Sequence, residues 1–338
     1  FPEHLNHRTV IDGFLNLYEP IGHKPMQGDF PNIKKLVSHI FGEQYELGMD
    51  YLQLLYLRPV QKLPILLLVS EERNTGKTTF LNFLKALFQD NVTFNTNEDF
   101  RSQFNSDWAG KLLIVVDEVL LSRREDSERL KNLSTTLSYK VEAKGKDRNE
   151  ISFFAKFVLC SNNESLPVII DEGETRYWVR KISSLQSDDT DFLEKLKAEI
   201  PAFLFHLQGR TLSTEHKSRM WFAPEQIATD ALRRIIRCNR NRLEVEMSEL
   251  FLEIMENTQT DSLQFCLNDA IALLQCNHVK AEKHLVRKIV QDCWKLQPSE
   301  NALTYISYEY NYNSCGRYSP TKRVGRFYTV TRDKLNSI

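Results

Sequence analysis

The sequence predicts an α/β fold with a mainly parallel sheet. Short, fully apolar runs of strand length recur along it, helix-period stripes separate them, and small clusters of polar residues stand where the runs end. The first run is Ile65-Leu66-Leu67-Leu68-Val69. Five consecutive apolar side chains leave no polar face, as in a parallel strand covered on both sides. A helix is expected next, starting at Lys77-Thr78-Thr79 and carrying the stripe Phe80, Leu81, Leu84, Leu87 and Phe88. Leu112–Val116 and Phe157–Cys160 repeat the apolar pattern, and Tyr177-Trp178-Val179 with Ile182 supplies a fourth strand. Strands alternating with helices build parallel sheets, because parallel neighbours need a crossover between them.

The flanks read differently. Residues 1–60 form a mostly helical amino-terminal segment. Pro31 opens a stripe of Ile33, Leu36, Val37 and Ile40 that stops at Gly42, and a second stripe runs from Tyr45 through Leu52, Leu55 and Tyr56 to Pro59. The α/β core occupies 61–185. A helical connector follows over 186–243, with 189–208 helical up to Gly209 and 217–242 basic and ambiguous. In 244–338, helix-like stretches at 244–258, 262–276 and 279–296 precede strand-like Leu303–Tyr310 and Arg326–Thr331. Three helices and a two-stranded ribbon predict a winged-helix-like domain. From Val279 to Ile338 there are 11 Lys and Arg against 5 Asp and Glu. Lys280, Lys283, Arg287 and Lys288 fall on the third helix, and Arg317, Lys322, Arg323 and Arg326 in the ribbon among tyrosines, a mixture suited to nucleic-acid backbones.

Bulk properties exclude several classes. At 338 residues, 41% apolar and 26% charged, the chain has the composition of a globular protein of two or three domains and not of a disordered one. A formal net charge of −1 gives no sign of a polyanionic partner, so basic surfaces must be sought locally. No apolar run approaches the roughly 18–20 residues that cross a bilayer. Six cysteines without a CxxC pair fit a reducing cytoplasm, the expected location. Cys276, His278, His284 and Cys293 match no common zinc spacing. The start at Phe1, with no Met and no signal-peptide pattern, reads as a fragment of a longer protein.

The chemistry is concentrated at the run ends. Asn74-Thr75-Gly76-Lys77-Thr78-Thr79 follows an apolar strand and opens a helix. Such a turn aims backbone N–H groups and the helix dipole at a phosphate; Lys77 would reach the β- and γ-phosphates of a nucleotide, and the Thr78 hydroxyl would ligate Mg²⁺. The pattern departs from G-x-x-x-x-G-K-[ST] at its first glycine, which is Glu71, so the loop entrance must take a conformation open to a side-chain-bearing residue. Asp117-Glu118 ends the next buried run, about 40 residues after Lys77. There an aspartate can hold Mg²⁺ through water and a glutamate can polarise an attacking water. Ser161-Asn162-Asn163 ends another run, and Asn162 can hydrogen-bond a γ-phosphate or the lytic water. Arg176 precedes the last strand and can serve a neighbouring subunit's nucleotide, with Arg180 and Lys181 as alternatives. Tyr139–Phe154 reads as a β-hairpin whose tip carries Lys144, Lys146 and Arg148, cations suited to gripping phosphates along a strand.

Phosphate loop, Asp-Glu strand, basic hairpin, Ser-Asn strand end and trailing arginine, in that order, resemble the superfamily 3 helicases of viruses, phages and plasmids, which are AAA+ ATPases. The likeness covers about residues 10–185 and is nearest to the helicase part of primase-helicase proteins of phages and mobile elements. It implies an AAA+ P-loop core, ATP and Mg²⁺ as ligands, and a hexameric ring around DNA. It further implies ATP between subunits, with Lys77, Thr78, Asp117, Glu118 and Asn162 on one side and Arg176 from the neighbour. The hairpin would point into the channel, and any primase domain would lie before Phe1. The function expected is an ATP-dependent DNA helicase in replication of a phage, plasmid or integrated element. The alternative is a nucleotide-dependent DNA-binding switch or assembly factor without processive unwinding.

Overall fold

The computed structural model describes residues 2–16, 18–99, 108–141, 149–171, 173–185, 189–311 and 318–336. The chain divides into two compact units, Phe1–Asn239 and Arg240–Ile338.

The first unit opens with a short hairpin of β1 (Val10–Ile11) and β2 (Phe14–Leu15), then α1 (Pro31–Phe41) and α2 (Tyr45–Leu57). Pro31 starts α1 where a missing N–H costs nothing; Ile33, Leu36, Val37 and Ile40 form its buried stripe, and Gly42 ends it at φ 50°. The core continues through β3 (Ile65–Val69), α3 (Lys77–Phe88), β4 (Val92–Asn95), β5 (Leu113–Val116) and α4 (Arg124–Thr135). A hairpin of β6 (Ser138–Val141) and β7 (Asn149–Ser152) follows, then β8 (Lys156–Ser161) and β9 (Tyr177–Lys181). After these come α5 (Phe192–Gly209), the single turn α6 (Pro224–Ile227) and α7 (Asp230–Thr258), which runs past the unit boundary.

Five strands make one parallel sheet in the order β4-β5-β8-β3-β9. Alternation along β3 divides the core in two. Leu66 and Leu68 face a layer containing α1, α2, α3 and α5; Ile65, Leu67 and Val69 face a second layer with Leu130 and Leu133 of α4 and Leu232 and Ile235 of α7. The α/β class with a mainly parallel sheet is therefore the observed one. Sequence periodicity overlooked β4, whose Val92-Thr93-Phe94-Asn95 is an edge strand with Phe94 exposed and so lacks an apolar run. The stretch 217–242, ambiguous in the sequence, holds a Ser218–Trp221 bridge, α6 and the first turns of α7.

The second unit comprises the end of α7, β10 (Ser262–Phe265), α8 (Leu267–Cys276), α9 (Lys283–Lys288), β11 (Leu303–Tyr310), β12 (Tyr318–Gly325), β13 (Tyr328–Thr331) and α10 (Arg332–Asn336). Here 262–276 is not one helix, as expected, but a strand and a helix. Leu263 and Phe265 alternate inward as β10 pairs antiparallel with β13, and the Cys266 N–H donates to Asp269 Oδ2 to begin α8. Only 283–288 of the 279–296 stretch is α-helical, with a π-helical turn over Ile289–Cys293. The two expected ribbon strands do not pair with each other: Leu303–Tyr310 pairs with β12, a strand the sequence reading lacks, while β13, within the expected Arg326–Thr331, pairs with β10. Arg323, expected to face a nucleic acid, is engaged within the unit by buried Asp269 and by Glu309.

Candidate functional site

The carboxyl ends of β3, β5 and β8 meet at one edge of the sheet, where open α/β sheets bind ligands. Register sets this: Val69 pairs with Ser161, and Val116 with Leu159. The residues after those positions are therefore neighbours although the chain separates them by 40 to 90 residues. The order β5-β8-β3 puts the Asn162 strand between the Asp117 strand and the loop strand.

The loop from Ser70 to Gly76 bends through two left-handed residues, Asn74 at φ 54° and Gly76 at φ 80°. A Cβ on Gly76 would meet nothing closer than 3.6 Å, so glycine is required by its backbone angle and not by space. Glu71 has no positive φ, and the loop entrance thus takes a conformation open to any residue. The Ser70 N–H donates to Ser161 O at 3.1 Å, and His39 of α1 donates from Nε2 to Thr75 O at 2.9 Å. His39 went unnoticed in the sequence because it lies beside the apolar stripe of α1 with no motif around it.

Lys77 opens α3 and is 6% exposed. Its Nζ donates to Ser70 Oγ, to Thr75 Oγ1 at 3.0 Å and to Asn162 Oδ1 at 3.0 Å. All three acceptors are neutral, and burial lowers the ammonium's pKa against the opposing pull of Cys160, Asp117, Glu164 and Glu118. The Thr78 hydroxyl donates to Asp117 Oδ2 at 2.7 Å. Glu118 is exposed and left-handed at φ 60°, and Asn97 braces this turn: its Nδ2 donates to Glu118 O at 3.1 Å and its Oδ1 accepts from Leu120 N at 2.9 Å. Asn97 was missed with β4, the strand that delivers it.

These groups line a cavity of about 420 Å³ walled by residues 73–79, Asp117, Glu118 and Asn162. A second cavity of about 460 Å³ shares Asn74, Gly76 and Thr79 with it and is otherwise bounded by α1 residues including His39 and by Leu185, Asp189, Thr190, Phe192 and Leu193. A polar chamber at a helix amino terminus beside a more apolar one can hold an anionic group joined to a ring system. Among the described residues no three His, Cys, Asp or Glu gather as a metal-holding group. The Thr78–Asp117 oxygen pair is nonetheless the hard-donor set that Mg²⁺ takes alongside a ligand's phosphates.

Asn74, Thr75, Gly76, Lys77, Thr78, Thr79, Asp117, Glu118 and Asn162 thus share one site. Arg176 does not join them. The Ile65 N–H donates to Arg176 O, which puts this arginine at the amino end of β9, opposite the loop, where its guanidinium lies 3.5 Å from Glu174. The alternatives are occupied: Arg180 is buried against Glu43 and Gln44, and Lys181 pairs with Glu164 at 2.9 Å. The hairpin strands pair from Ser138 with Ser152 to Val141 with Asn149, while Lys144, Lys146 and Arg148 lie outside the described residues.

Comparison with known proteins bears on the fold. A model of a family of unknown function, DUF5906, matches residues 68–180, from the loop strand to β9. No curated protein matches the sequence significantly. Among solved structures, the apo C-terminal region of NrS-1 (305–718) is similar over 92% of this chain and 80% of its own, at 17% identity and a TM-score of 0.59. Its A form is similar over 98% and 82%, again at 17% identity and TM-score 0.59. A ligand-bound JCV helicase matches 68% of this chain and 65% of its own at 16% identity, with a TM-score of 0.39 that is too low to bear on the argument. The NrS-1 likeness shows the fold: an α/β arrangement with a five-stranded parallel sheet, consistent with an AAA+ core. No helix among the described residues is long and apolar enough to cross a membrane.

Proposed function

We propose that this chain is a P-loop ATPase that drives a DNA helicase of the superfamily 3 kind. The observation that carries the reading is the convergence of Lys77 with Asn162 and of Thr78 with Asp117 at the ends of three separate strands. Hydrolysis at a nucleotide's γ-phosphate needs charge neutralisation, an oriented water and a polar contact to the terminal phosphate, and these residue types supply all three. Lys77 leaves its neutral acceptors for phosphate oxygens, which as anions bind an ammonium more strongly. Glu118, unpaired with any cation among the described residues and facing the cavity, orients the attacking water. Asn162 contacts the γ-phosphate. Mg²⁺ held by Thr78 and Asp117 would neutralise charge on the β- and γ-phosphates. The nucleoside takes the neighbouring chamber beside His39 and Phe192.

The DNA half of the reading is supported by the motif order in the sequence. In it, copies of the chain form a hexameric ring, Arg176 serves the neighbour's nucleotide, and Lys144, Lys146 and Arg148 grip the strand in the channel. Replication of a phage, plasmid or mobile element, with a primase domain upstream, is the setting that fits. The test is DNA-stimulated ATP hydrolysis together with strand separation on forked DNA. Lys77→Ala abolishes both, whereas Lys144→Ala with Lys146→Ala abolishes strand separation and spares basal hydrolysis. ATP hydrolysis indifferent to single-stranded DNA, with no unwinding, would instead identify a nucleotide-dependent switch.

A further inference from the structure

Glu71 stands where the phosphate-loop pattern has its first glycine, and its backbone is held by a group the loop does not contain. The Glu71 N–H donates to Glu164 Oε1 at 3.1 Å. The other oxygen of Glu164 accepts from Lys181 Nζ at 2.9 Å and from Arg234 Nη1 at 3.0 Å, and Arg234 Nη2 turns back to Glu71 Oε1 at 3.0 Å. The four side chains come from the loop entrance, the turn after β8, the end of β9 and α7. Their exposures are unequal: 3% for Glu164 against 63% for Glu71, 58% for Lys181 and 45% for Arg234.

That inequality decides which member matters. An ion pair between exposed partners contributes little, so the Arg234–Glu71 contact alone would not hold the loop. A carboxylate almost shut off from water persists only with its oxygens satisfied, and three donors satisfy these. Glu164 also lies two residues beyond Asn162, in a segment knitted tightly to its surroundings. Ser161 Oγ donates to Val119 O at 2.8 Å, and Asn163 Oδ1 accepts the N–H groups of Ser165 and Leu166 at 2.9 and 2.8 Å.

We infer that Glu164, with Arg234 and Lys181 as its counter-cations, is a positioning residue for the phosphate loop, fixing the entrance at Glu71 to the strand end that carries Asn162. The inference rests on the nucleotide-binding reading of the loop. It makes loop geometry and the γ-phosphate contact parts of one rigid piece, so a perturbation at Glu164 reaches ATP binding without touching ATP.

The experiment compares the parent with Glu164→Ala, Glu164→Gln, Arg234→Met and Arg234→Lys. ATP binding is read by calorimetry, KM and kcat by phosphate release, folding by circular dichroism, and exchange of the Glu71 amide by mass spectrometry without nucleotide. Losing one charge-assisted hydrogen bond from the loop raises KM for ATP about tenfold in Glu164→Ala. Its kcat stays within about twofold, because the reacting groups remain. The Glu71 amide exchanges faster, Arg234→Lys recovers most of what Arg234→Met loses, and Glu164→Ala with Arg234→Met is no worse than Glu164→Ala alone. Glu164→Gln keeps an acceptor for the Glu71 N–H and covers the case in which the alanine variant does not fold. A folded Glu164 variant with unchanged KM and unchanged Glu71 exchange overturns the inference alone, as do fully additive losses. A parent that does not bind ATP overturns the nucleotide reading and this inference with it.

Discussion

Lys77→Met separates what the loop does for function from what it does for stability. Its ammonium is 6% exposed and held only by neutral acceptors, two hydroxyls and an amide oxygen. A charge-assisted hydrogen bond contributes about 1.5–3 kcal/mol, so losing two of them to phosphate oxygens costs roughly 3–6 kcal/mol of transition-state stabilisation. That corresponds to a fall in hydrolysis of about 10² to 10⁴. Stability moves differently. Burial lowers the pKa of Lys77, which means the fold disfavours the charged form, and methionine keeps the stem while removing the charge. The acceptors keep other contacts: Asn162 is exposed, Ser70 Oγ also donates to Glu72 O at 2.8 Å, and buried Thr75 Oγ1 still lies 3.5 Å from Ser70 Oγ. The variant is therefore expected to unfold at or above the parent's urea midpoint. Phosphate release at saturating ATP and a urea melt of the same preparation check both halves. A variant that keeps more than about a tenth of parent hydrolysis, or that loses more than about 1 kcal/mol of stability, refutes the reasoning.

The remaining expectations are more local. Glu118→Gln retains ATP binding and lowers hydrolysis by about 10² to 10⁴, the range for a removed general base; hydrolysis at parent level would reassign the water-orienting role. Arg176→Ala and Lys77→Met are each inactive, but a mixture regains hydrolysis if Arg176 serves a neighbour, since a mixed pair contains one intact interface; a mixture as dead as its parts argues against sharing. Lys62 Nζ donates to Phe153 O at 2.7 Å, and burial pushes its pKa down from 10.5 to about 8. A lysine with a lowered folded pKa leaves the extra proton on the unfolded chain between those two values, so stability rises with pH across that window, by roughly 3 kcal/mol for this group. Lys62→Met flattens the rise, which urea midpoints between pH 8 and 10.5 record; a slope equal to the parent's would contradict it.

The core was legible where burial leaves a one-dimensional trace. Ile65–Val69 is buried on both faces, so it carries no polar position, and its bounds could be taken from composition alone. β4 has one neighbour and a half-exposed face, so its Val-Thr-Phe-Asn carries neither an apolar run nor a clean alternation. Asn97 was lost with it, although it holds the backbone turn that aims Glu118. The 262–276 stretch misled for a related reason. Leu263 is in phase with the helical stripe of Leu267, Ala270 and Leu274, which masks the two-residue alternation of Leu263 and Phe265, and pairing with β13 makes 262–265 a strand. Lys181 is visible in the sequence as an alternative to Arg176, but its meeting with Glu164 and Arg234 is not, because that depends on how α7 lies across the carboxyl edge of the sheet.

Sheet polarity settles what one copy of the chain can assemble. In a parallel sheet every strand presents the same end to the same edge, so Lys77, Asp117 and Asn162 must share a side once their strands are neighbours. By the same rule Arg176, at the start of β9, must be on the other side. Five residues of strand separate it from the loop edge, about 16 Å at 3.3 Å per residue, beyond the reach of an arginine side chain. Any catalytic use of Arg176 therefore belongs to a nucleotide bound by another copy. The ring that the resemblance to superfamily 3 helicases implies and the direction in which β9 runs are two independent reasons for testing that arginine in mixtures and not in isolation.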